Sequence, residues 1–242
     1  MSARLQQAYP RVVRQADLSP TAVLFTPRLI VLQLLNALNC GAQDAIIISL
    51  FDDHPGLAFQ ALRMINLRFG VEHHPFRSLR QALGQLGRAR IKRLLPLLIY
   101  VVGEQTEYPS PLLEQASRRG LFMQFQQEYL SRHLDMAQER AYITGVLSLA
   151  DTRTSMPMAE IVSLLGLSTE MGAALTHRAG RLGRLLELCE LLESADESGA
   201  QIVARGLCIP FHYVVRYACG GAPGLRLASR IHGRQPGMMV HA

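Results

Sequence analysis

From residue 26 onward, apolar side chains recur at helical spacing, and the breaks fall at prolines, glycines and capping residues. The pattern is densest over residues 53–102. There Asp53 and Pro55 open a helix whose Leu57, Ala61, Met64 and Ile65 share one face, and Gly70 closes it. Ser78 caps or precedes a helix over 79–86, Gly87 punctuates it, and a further helix over 88–102 is kinked by Pro96. The run Ile46-Ile47-Ile48 suits a buried strand by composition, but no neighbouring segment offers a partner strand, so it reads as helix over 42–51. No strand alternation and no internal repeat appears, and the expectation is an all-α protein of many packed helices.

The same stretch collects the positive charge. No acidic residue lies between Glu72 and Glu104, whereas Arg77, Arg80, Arg88, Arg90, Lys92 and Arg93 all do. Lys92 is the only lysine of the chain, and arginine forms forked pairs with carboxylate or phosphate alike. Three readings of the patch follow: a solvated or internally paired helix face, a contact for an acidic protein, or a contact for nucleic acid. The chain has no Trp and few aromatics near these charges, so it lacks the stacking platforms that single-stranded nucleic acid uses.

Tyr108-Pro109-Ser110-Pro111 is the clearest internal boundary and divides the helices into two subdomains packed together. After it come helices over 112–133 and 136–150, a polar loop at 151–155, and three short helices, the last over 182–192. The linker SADESG leads to two more, over 200–207 and 211–219. Residues 1–22 read as an N-terminal arm, 23–220 as the helical domain, and 221–242, with Arg226, Arg230 and Arg234, as a flexible basic tail.

With 49% hydrophobic and 18% charged residues the chain is too apolar for disorder. No run reaches the ~20 apolar residues that span a bilayer, and no secretory h-region opens the chain, so a cytoplasmic location is expected. Cys40, Cys189, Cys208 and Cys219 show no paired spacing and read as buried free thiols. His73-His74 and Asp52-Asp53-His54 have metal-ligating side chains, but Asp53 is already accounted for as a cap and the other histidines are isolated. Nucleophile elbows and phosphate-cradling glycine loops are absent from the sequence. No cofactor or metal is expected.

The segments DHPGL (53–57), LRMIN (62–66), Phe69-Gly70 and SLRQALGQLGRARIKRLL (78–95) resemble the HDOD domain, the HD-related output domain of bacterial signalling proteins. AYITGVLSLAD (141–151), Met156-Pro157 and LSTEMGAALTHRAGRLGRLLELCELLES (167–194) resemble its C-terminal half, as found behind EAL domains in cyclic-di-GMP signalling proteins. The resemblance covers about residues 24–219. Catalytic HD-type phosphohydrolases carry a metal-binding His-Asp pair in a segment like G-L-L-H-D. Here Gly145-Val146-Leu147 is followed by Ser148-Leu149, which cannot ligate a metal in their place, and Asp135 and Asp151 alone make a poor divalent site. The family's Asn-Ser is Asn66-Leu67 here, and residues 1–20 are too short to hold an EAL domain.

The resemblance therefore implies a non-catalytic signalling module that binds another signalling protein, with the six basic residues as docking face and the arginine tail as a second contact. It leaves homo-oligomerisation open. The alternatives are a metal-dependent phosphohydrolase with unusual ligands and a nucleic-acid-binding regulator.

Overall fold

The computed structural model describes residues 27–69, 75–102, 110–130 and 135–218. Every regular element among them is a helix. The first three are α1 (Pro27–Asn39), α2 (Asp44–Asp52) and α3 (Pro55–Phe69), followed by α4 (Leu79–Leu94), a 3-10 turn (Leu95–Leu97) and α5 (Leu98–Val101). The second half holds α6 (Pro111–Leu130), α7 (Asp135–Leu147), α8 (Ala150–Thr154), α9 (Met158–Leu165), α10 (Thr169–His177), α11 (Gly180–Glu193), α12 (Glu197–Gly206) and α13 (Phe211–Ala218). The expected arm at 1–22 and tail at 221–242 lie outside the described residues, as do His73 and His74.

Local chemistry explains most boundaries. Ser78 accepts a hydrogen bond from the Gln81 N–H at 3.2 Å and so caps α4, and Ser110 accepts one from Leu113 at 3.2 Å ahead of Pro111 at the start of α6. Gly87 sits at φ 76, where L side chains are strained, and breaks α4 at the expected place. Pro96 cannot donate into the helical ladder, and the chain tightens there into the 3-10 turn. The Ile46-Ile47-Ile48 run is helical, within α2.

Four expectations change. Asp53 closes α2 instead of capping α3, and His54 is the residue before Pro55. The polar segment expected to be a loop forms α8, a single turn in which the Thr154 hydroxyl donates to the Ala150 carbonyl at 2.7 Å and Ser155 ends the helix at φ 57. The second half of the SADESG linker, residues 197–199, forms the start of α12, which Asp196 caps by accepting from the Gly199 N–H at 2.9 Å. Cys189 is buried as expected, but Cys40 and Cys208 are exposed because both sit in helix-end turns. Cys219 is outside the described residues.

One apolar core runs through both halves, from Ile30 to Val214. The α6–α7 pair is the main axis and packs closely because each helix brings a glycine to the crossing. A Cβ on Gly145 would meet the Arg119 carbonyl oxygen at 2.6 Å, and one on Gly120 would meet Val146 at 2.7 Å. The N-terminal helices join this axis through the fully buried segment 94–100, and α9 packs on α1. Asn66 fixes the return from α3 to α4. Its side-chain amide donates to the Phe76 carbonyl at 2.9 Å, and its oxygen accepts from the Phe76 N–H at 2.7 Å.

Candidate functional site

Ser148 and Leu149 lie in the turn between α7 and α8, at the place where the family resemblance puts a metal-binding His-Asp pair. The Ser148 hydroxyl donates to the Gly145 carbonyl at 2.8 Å and accepts from Arg119 Nη1 at 3.0 Å. Leu149 is half-buried and packs against the core. Asp151 Oδ1 accepts from the Thr152 N–H at 2.7 Å. The side chain of Asp135 lies outside those described.

Arg119 was not singled out by the sequence reading, and it organises this region. It projects from α6 beside the Gly120–Gly145 crossing, and its side chain is only 8% exposed. Its Nε lies 2.9 Å from Glu193 Oε1 and its Nη2 2.6 Å from Glu193 Oε2, a forked pair, while Nη1 reaches Glu190 Oε1 at 3.4 Å. Glu190 is shared with Arg178, which approaches it at 2.7 and 3.1 Å from the end of α10. Gln115 adds a hydrogen bond to Glu193 at 2.8 Å. Burial alone would lower the affinity of Arg119 for its proton, but the hydrogen bonds and charge of Glu193, with Cys189 and Glu190 beside it, outweigh that and raise it.

Two more buried groups flank the network. Tyr100 of α5 donates its hydroxyl to the Val146 carbonyl at 2.6 Å, tying the N-terminal half to α7. Burial pushes its phenol far above its ordinary value, and burial together with the charge of Glu193 does the same for the Cys189 thiol.

The residues at the Ser148 position do not fit a divalent metal. The local oxygen is a hydroxyl already engaged on both sides, and one of its neighbours is a fixed guanidinium that repels a second cation. Among the described residues no group of three His, Cys, Asp or Glu side chains is placed to hold a metal ion.

The six basic residues of the expected docking face divide into two sets. Arg88 turns inward, donating to the Ala42 carbonyl at 2.5 Å and pairing with Asp44 at 3.0 Å. Arg93 donates to Gln124 and lies 4.2 Å from the ring centre of Tyr142. Arg77, Arg80 and Arg90 are exposed, and Lys92 is half-buried. Arg90 lies over the Phe69 ring at 5.9 Å, and Arg68, which the sequence reading left out, lies over the same ring at 5.2 Å.

The helical architecture is one that a solved structure shares. A crystal structure of a "Putative phosphohydrolase" from Shewanella amazonensis SB2B shares the fold, with a TM-score of 0.51 and 13% identity over 84% of this chain and 93% of that one. In sequence the chain is 26% identical over 195 residues to the cyclic di-GMP phosphodiesterase CdgJ of Vibrio cholerae, covering 79% of this chain and 43% of CdgJ. It is 29% identical over 139 residues to the uncharacterized protein YuxH of Bacillus subtilis, covering 57% of this chain and 34% of YuxH. The chain thus spans less than half the length of the curated relatives it matches. No family model matches it. No helix among the described residues is long and apolar enough to cross a membrane.

Proposed function

We propose that this chain is a non-catalytic regulatory module of the HDOD type, acting in signal transduction related to cyclic di-GMP through contact with another protein. The observation that carries this reading is the guanidinium of Arg119 on Ser148 Oγ, at the position of the resemblance's metal-ligating pair. HD-type hydrolysis depends on a metal to activate water, and here a fixed organic cation is hydrogen-bonded to the only polar side chain of that pair. The similarity to CdgJ supports the signalling context. The phosphodiesterase activity in that protein's name is not carried over, because the match leaves out more than half of it.

The test is hydrolysis by the purified chain, with Mn²⁺, Mg²⁺, Fe²⁺ or Zn²⁺ supplied, of cyclic di-GMP and of bis(p-nitrophenyl) phosphate. The expected result is no turnover above the metal-only control. Metal-dependent turnover that co-purifies with the chain and is lost on Ser148→Ala or Asp151→Ala would establish the phosphohydrolase reading instead.

A further inference from the structure

Helices α3 and α4 pack together, and neither contains an acidic residue. Arg68 and Arg90 lie over the ring of Phe69 in α3, and Arg93 lies over the ring of Tyr142 where α4 meets α7. Arg68 and Arg90 thus share one ring, and Arg93 follows Arg90 by three residues along α4. Among the described residues none of the three lies within ion-pair distance of a carboxylate. Arg88, Arg118, Arg119, Arg178 and Arg184 all do. The aromatic face offsets some of the mutual repulsion of Arg68 and Arg90, and both side chains are exposed.

We propose that Arg68 and Arg90 receive the carboxylates of an acidic segment of a partner protein. The proposal rests on the protein-contact reading above and narrows its docking face. Two features favour a protein over nucleic acid. The combination of arginine and aromatic side chains is that of protein interface centres, which are poor in lysine and acid. The rings themselves are covered by guanidiniums and half-buried or buried, so they offer no open face on which bases could stack.

The experiment is fluorescence anisotropy of a labelled Asp-Gly repeat peptide and, separately, of a labelled oligothymidine, titrated with the full chain at low salt. Arg68→Gln/Arg90→Gln is compared with Arg181→Gln/Arg205→Gln, a pair of exposed arginines on α11 and α12. The expected result is peptide binding weakened about ten-fold by the first pair and barely altered by the second. Arg68→Lys/Arg90→Lys, which keeps the charge and loses the fork, is expected to bind with intermediate strength, and it tests the site even if the glutamine variant melts early. Three results overturn the proposal: no peptide binding, peptide binding equally sensitive to both pairs, or tighter binding of the oligonucleotide that the Arg68/Arg90 substitutions abolish. None of these alters the outcome of the hydrolysis assay, so the docking site and the non-catalytic reading fail separately.

Discussion

A buried guanidinium is retained only where its neighbours outweigh the loss of water, and Arg119 meets that condition through Glu193, Glu190 and Ser148. Arg119→Met is expected to destabilise the fold by about 3 kcal/mol in urea denaturation, because two carboxylates lose their shared partner in a poorly hydrated site. A loss below about 1 kcal/mol would mean that solvent already screens the network. Tyr100 and Cys189 give a second expectation. Both have proton affinities raised by folding, so the folded state holds these protons where the unfolded chain releases them. Their stabilising effect is complete below the ordinary thiol value of 9.0 and falls as pH rises past it and past the ordinary phenol value of 10.0. Urea midpoints should therefore fall between pH 8 and pH 10.5, and Tyr100→Phe should make that fall shallower.

The sequence gives only faint notice of this network. Arg119 sits in an Arg118-Arg119 pair that reads as a solvated helix face, and Glu190 and Glu193 look like surface acids on α11. The available signal was positional. Ala116, Phe122 and Met123, three or four residues away along α6, share a face with Arg119 and are buried, so that arginine had to be buried or bent away. The arginine interval was legible as charge but not as geometry, since nothing in the spacing tells that Arg88 meets Asp44 while Arg68 joins Arg90.

At the scale of elements, punctuation was the readable part. Gly87, Pro96, Ser78 and Ser110–Pro111 set helix limits by local chemistry that needs no tertiary context, and the structure places the breaks there. Elements decided by packing were less readable. DTRTS has the composition of a loop, yet Ala150 is fully buried and holds that turn as helix against α5. The α6–α7 crossing was likewise unmarked, because a glycine inside a helix signals weakness in one segment and close approach only when the partner is known. Gly145→Ala should lower stability by about 2 kcal/mol or more, since its methyl would press on the Arg119 backbone. Thermal melting checks this, and Gly84→Ala, where nothing lies within 4 Å, is the control that should melt no lower.

For the whole molecule, the all-α architecture followed from periodicity, and the HD-like arrangement from the order of the quoted segments. The chemistry depends on one place within that arrangement. The resemblance would put a metal cation at this place in an HD-type hydrolase; here the Arg119 guanidinium is bound to Ser148 and two glutamates on α11. On the non-catalytic reading proposed above, this arrangement keeps the helices pinned around a positive centre and leaves no metal to activate water. On the docking proposal, the exposed arginines of α3 and α4 are the surface that meets another protein.

The most direct measurement is anomalous diffraction at the manganese edge from crystals of the chain grown with excess Mn²⁺. The expected map shows no manganese within coordination distance of Ser148 or Asp151, with the Arg119 guanidinium on Ser148 Oγ. A manganese peak there, with Arg119 swung away from Glu193, would contradict the non-catalytic account.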